Sequence, residues 1–105
     1  MKIFSFIVIA FLVPANALAG TATGKISSIT VTNDSSVVLF SLTSPINKTP
    51  KCNEEGRFSI QLRKPGGMTA YTAILEAKKQ DYEVTVNGLN TCDWRSENVK
   101  DITLY

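Results

Sequence analysis

Catalysis needs a positioned base, nucleophile or metal, and this chain is poor in all three. It has no histidine, two cysteines and nine carboxylates scattered over turns, a helix and strand ends. Glu54 and Glu55 are adjacent, but neighbours in an extended loop point apart, so they read as solvated side chains. A pair such as Glu97 with Asp101 is left open for glycosidase-like work by two carboxylates. No glycine-rich phosphate loop is visible, so the sequence predicts no cofactor and no activity of an enzymatic kind.

Binding chemistry has better material. Trp94 stands in a polar stretch with Asn90, Thr91, Asp93, Arg95, Ser96, Glu97 and Asn98. The face of a sugar ring stacks on an indole while such neighbours fix its hydroxyls, and Asp93, Trp94 and Arg95 are the first candidate set. The competing reading is that Trp94 folds back as a lid over a disulfide. A second candidate surface is Arg57, Ser59, Gln61 and Arg63, the polar side of an alternating strand. Tyr71 falls on an apolar helix stripe and reads as core, and Tyr82 as a strand rim.

The two cysteines, Cys52 and Cys92, suggest where these groups are presented. Met1-Lys2, the apolar run Ile3 to Val13 and the small-x-small ending Ala17-Leu18-Ala19 form the pattern of a secretory signal. Pro14 and Asn16 cut the run short of the ~20 apolar residues that a membrane span requires. The expected organisation is therefore a signal peptide at 1–19 and a secreted or periplasmic domain at 20–105, with no transmembrane segment after cleavage. Export places Cys52 and Cys92 where disulfides persist, and without histidine they match no common Cys/His zinc pattern. A bond between them should contribute about 3–4.5 kcal/mol, a large share for so small a domain. The net charge is +2 with Lys2 and +1 without it. That near-neutrality, with basic clusters no longer than Arg63-Lys64 and Lys78-Lys79, argues against a nucleic-acid partner.

The elements that must hold these residues follow from periodicity. Lys25 to Thr32 alternates, with Ile29 and Val31 on one side and Ile26 out of phase, which predicts a bulge near Ser27-Ser28. Asn33 to Ser36 is turn chemistry. Val37 to Leu42 is apolar on both faces, as in a covered strand. Thr43 to Glu55, with Pro45 and Pro50, reads as a loop, and Phe58, Ile60 and Leu62 alternate to give a third strand whose other face is wet. Pro65-Gly66-Gly67 breaks it, and Met68, Tyr71, Ile74, Leu75 and Lys78 mark one amphipathic helix. Tyr82 to Val86 is a fourth strand, Leu89 to Asn98 a loop, and Val99 to Tyr105 a fifth strand. The fold expected is mainly β with one helix, a five-stranded OB-fold-like barrel in the order β-β-β-α-β-β. Unpaired edges at the first, third or last strand would make ring assembly with further copies favourable.

Gly24-Lys25 with Ile29 and Val31, Cys52 followed by Arg57-Phe58, Ala73-Ile74-Leu75-Glu76-Ala77, Val84-x-Val86-x-Gly88 and Cys92-x-Trp94 occur in one order across the chain. In this the chain resembles small exported OB-fold proteins related to the pentameric B subunits of AB-type toxins, in particular the subtilase-cytotoxin type. A narrower likeness is to the cholera-type B subunit, whose Cys-x-Trp motif precedes a last strand and whose tryptophan helps hold a terminal galactose. Trp94 is the matching position, although Cys52 lies between strands two and three rather than in an N-terminal helix. The resemblance implies a glycan ligand, a homopentamer and a separate catalytic A subunit as partner. The alternative is a periplasmic inhibitor or envelope-stress protein that binds another protein through a loop.

Overall fold

The computed structural model describes residues 19–45 and 50–105. The signal segment, apart from its last residue Ala19, and part of the loop after Thr43 lie outside the described residues. Among the described residues are five strands and one helix: β1 (Thr21–Val31), β2 (Val37–Leu42), β3 (Phe58–Gln61), α1 (Gly67–Gln80), β4 (Glu83–Asp93) and β5 (Ser96–Leu104). The strands are ordered β1-β2-β3-β5-β4, and β4 pairs back onto β1 to close the circuit. All pairings are antiparallel except β3 with β5. First and third strands are thus paired on both sides over part of their length, which corrects the expectation that they present bare edges.

β1 starts earlier than its hydrophobic pattern predicts because its first inward residues are small. Ala22, Gly24 and Ile26 alternate inward. At Gly24 a side chain would crowd the Ser44 hydroxyl, so glycine lets the loop after β2 approach closely. The bulge falls where the phase break placed it, between Ile26 and Ser28. It returns Ile29 to the barrel, where it packs against the core. In β2, Val38, Leu39, Phe40 and Leu42 are all buried, as expected of a strand covered on both faces.

β3 is shorter than expected and has no wet face. Phe58, Ser59 and Ile60 are all buried, because β5 runs alongside with Phe58 opposite Glu97 and Ser59 opposite Asn98. Leu62 lies one residue past the strand yet still packs half-buried against the core, its N–H donating to the Ser36 carbonyl at 2.8 Å. Arg57 and Arg63 lie outside the strand.

α1 begins at Gly67, whose missing side chain lets the helix start directly against the Gln61 and Leu62 backbone. Its inward side is Gly67, Ile74 and Ala77, flanked by half-buried Ala70 and Tyr71. Met68 and Leu75 are exposed instead, a correction to the expected stripe. Small residues on the inner line allow close approach, which leaves the larger ones at the flanks. Asp81, in the left-handed conformation at φ 63°, ends the helix by donating its N–H to the Ala77 carbonyl. The core joins Val38, Phe40, Phe58, Ile60, Ile74, Val84 and Val86, with the Phe40 and Phe58 ring centroids 5.7 Å apart.

Leu89 to Asn98, expected as a loop, is the outer half of a long hairpin. β4 continues to Asp93 and β5 starts at Ser96, with Asp93 paired to Ser96. Trp94 and Arg95 form its two-residue turn, both at positive φ (55° and 57°), the sign a type I′ turn demands. Cys52 and Cys92 form a disulfide with Cα atoms 6.0 Å apart. It ties the loop before β3 to this hairpin.

Candidate binding surface

The hairpin tip is fixed from three sides. The disulfide holds β4 two residues before Trp94. Arg95 donates to Glu55 at 3.0 Å and lies 3.6 Å from Glu54, so both glutamates converge on one guanidinium rather than pointing apart. The Glu55 N–H also donates to the Arg95 carbonyl at 3.1 Å. Asp93 accepts from the Gln61 side-chain amide, which joins the tip to the end of β3.

Trp94 is 53% exposed at the apex of this turn, and Cys52 is itself exposed. The indole therefore does not bury the disulfide, and the lid reading loses its basis. The two-residue turn fixes the Trp94 backbone at the apex, and the residue stays exposed there.

The second candidate surface is rearranged. Ser59 is fully buried and its hydroxyl donates to Asn98 Oδ1 at 2.6 Å, while Asn98 Nδ2 donates to Thr91 Oγ1 at 3.0 Å. Arg57 is half-buried near the disulfide loop, its N–H donating to Asn53 Oδ1 at 3.1 Å. Its Nε is buried without a partner among the described residues. Gln61, half-buried, and Arg63, exposed, remain near the surface. Arg57, Ser59, Gln61 and Arg63 thus do not form one exposed face.

A cleft of about 430 Å³ takes the place of that face. Its physical origin is the short β3: the parallel pairing with β5 covers two residue pairs, after which β5 continues with β4 as its partner and α1 crosses the gap. Ser59, Gln61 and Asn98 bring polar groups to it, Leu89 and Ala70 apolar surface, and Lys64 a charge at the rim. The sequence concealed it because Pro65-Gly66-Gly67 marks a break, while the alternation of Phe58, Ile60 and Leu62 carries the pattern past the actual strand end at Gln61. The signal available was Pro65 close behind.

Glu97, read as part of a polar loop and as half of a carboxylate pair with Asp101, is fully buried. Both its carboxylate oxygens accept from the Gly20 N–H at 3.1 Å, and Oε2 accepts from the Asn90 N–H at 2.9 Å. Burial pushes its pKa above the ordinary value, and these two N–H groups pull it back in part. Asp101 is exposed and accepts from the Asn87 side chain at 2.8 Å. The two carboxylates occupy different environments, one enclosed by backbone and the other wet. Among the described residues, no group of three or more His, Cys, Asp or Glu could hold a metal ion. No described helix is long and apolar enough to cross a membrane. Comparison with family models, curated proteins and solved structures finds no match to any of them.

Proposed function

We propose that this chain is an exported binding module, a glycan-binding subunit of the toxin-B kind or a relative retaining that fold. The observation that carries the reading is Trp94, exposed at a rigid hairpin apex and flanked by Asp93 and Arg95. An aromatic platform that is already ordered loses little entropy when a ligand stacks on it. The closed order β1-β2-β3-β5-β4, with one helix between β3 and β4, supports an OB-fold-like barrel as its frame. Binding by the oxidised mature chain to an immobilised glycan array tests the reading. Saturable binding to a restricted set of sugars is the expected result, and binding to none overturns it. Native mass spectrometry of the same sample reads the proposed homopentamer, and co-purification from the exporting cell reads a catalytic partner.

The second reading, a module that binds another protein, rests on the same apex. A protruding tryptophan backed by an anchored arginine resembles the aromatic and arginine anchors that dominate protein interfaces. An exported protein captured by the native chain and lost with Trp94→Ala, with no glycan bound, would favour it.

A further inference from the structure

Glu97 is a fully buried carboxylate without a cation among the described residues. Buried charges are ordinarily paired, because two neutral N–H groups do not replace the hydration an ionised carboxylate loses. The nitrogen that reaches both of its oxygens is that of Gly20, 3.1 Å from each. A single amide hydrogen cannot point well at two oxygens together, whereas an ammonium with three hydrogens can.

The surroundings are shaped for that carboxylate. A side chain at Gly88 would overlap the Glu97 carboxyl, so glycine leaves its space. Two register shifts, between Asn87 and Gly88 and between Gly88 and Cys92, bow β4 around it. Asn90, at φ 69°, aims its N–H inward. Gly20 is buried and its carbonyl accepts from the Gly88 N–H at 2.8 Å, while Ala19 before it is exposed. The bond between an exposed and a buried residue is also the one that the small-x-small sequence Ala17-Leu18-Ala19 marks for cleavage.

We infer that the Ala19–Gly20 bond is a processing site and that the Gly20 α-ammonium released there forms a buried ion pair with Glu97, locking the processed chain. The inference rests on the export reading. Hydrolysis by a signal peptidase adds water across the amide: the hydroxyl goes to the Ala19 carbonyl carbon and a hydrogen to the Gly20 nitrogen. Transfer of the new carboxyl's proton then leaves a carboxylate on Ala19 and an –NH3+ on Gly20. The charged side chains on the surrounding elements are Lys25 on β1, Arg57 before β3, Glu83 and Asp93 on β4, and Lys100 and Asp101 on β5. None of them bonds the Glu97 carboxylate. Among the described residues, the Gly20 ammonium would be its one cation.

Two measurements test the two halves separately. Intact mass of the protein recovered after export from the full chain is expected to begin at Gly20, and a mass beginning elsewhere overturns the processing site. For the ion pair, oxidised chains beginning at Gly20 and at Ala19 are compared in denaturant, each with Glu97 and with Glu97→Gln. The Gly20 chain is expected to be at least roughly tenfold more stable in its folding constant, an advantage that vanishes with Glu97→Gln. Equal stability of the Gly20 and Ala19 chains overturns the ion pair even where processing is correct. Should Glu97→Gln fail to fold, acylation of the Gly20 amine in the unmutated chain decides. The expected rate is at least about tenfold below that of the unfolded chain, since a buried ammonium is not a nucleophile. Equal rates refute the pair.

Discussion

The apex and the base of the outer β4–β5 hairpin stand three residues apart in sequence and obey opposite rules. At the apex, Trp94 is exposed and Arg95 makes its ion pairs in solvent, with side-chain exposures of 65% for Arg95 and 61% and 39% for Glu54 and Glu55. At the base, Glu97 is sealed against Gly88 and bonded only to backbone N–H groups. Exposed polar contacts contribute little to stability, whereas a buried carboxylate makes each neighbour structurally necessary. The apex is therefore free to serve a ligand, and the base is committed to the fold.

The largest expected effect tests whether the apex borrows its rigidity. Replacing Cys52 and Cys92 together by serine opens a loop of 40 residues of sequence separation. It should cost about 4 kcal/mol by chain entropy and lower the denaturant midpoint steeply. An unchanged midpoint would mean that the hairpin holds itself. Next, Gly88→Ala pushes a methyl group into the space of the Glu97 carboxyl and should cost about 3 kcal/mol or more. If denaturant melts show Gly88→Ala as stable as the parent, the base is less tightly enclosed than its geometry implies.

A smaller effect is expected from pH. Where Gly20 is still joined to Ala19, burial raises the Glu97 pKa above its ordinary value of 4.5. A carboxyl whose folded pKa is raised holds its proton more firmly folded than unfolded. Its contribution is full below the unfolded pKa and is lost as pH rises through the folded one. Stability of the chain beginning at Ala19 should therefore fall over the interval above pH 4.5, and Glu97→Gln should flatten that fall. A Glu97-independent profile would contradict the burial argument. Smallest of all, Arg95→Ala should change stability by less than about 1 kcal/mol, because its partners are solvent-screened. A larger loss in thermal unfolding would give the apex a structural role it is not assigned.

The legible parts of this fold were those where one residue type has one physical use. Ile26, out of phase with Ile29, marked the bulge; Cys52 and Cys92 marked the cross-link; Pro65-Gly66-Gly67 marked the entry to the helix. Obscured elements had inward residues that are small or polar. Ala22 and Gly24 hid the start of β1, and Ala70 and Ala77 hid the true helix face behind Met68 and Leu75. Asn90, Thr91, Asp93 and Ser96 read as a loop, yet Asp93 and Ser96 pair, Asn90 and Thr91 lie in the irregular stretch of β4 before them, and the turn conformation is carried by Trp94 and Arg95, neither a typical turn residue. Of the candidate site, Trp94, Asp93 and Arg95 were legible from type alone. Burial of Ser59 was not, because it depends on the parallel approach of β5, which no local pattern encodes.

The proposed role of Trp94, to serve a ligand and not the core, is open to one direct measurement. Thermal unfolding of Trp94→Ala, measured first, should leave the midpoint within a few degrees of the parent, because a half-exposed turn residue contributes little to the core. The same variant on a glycan array should lose the binding shown by the parent. A destabilisation of about 3–5 kcal/mol, the size expected for a buried tryptophan, or a stable variant that keeps full glycan affinity, would contradict the claim.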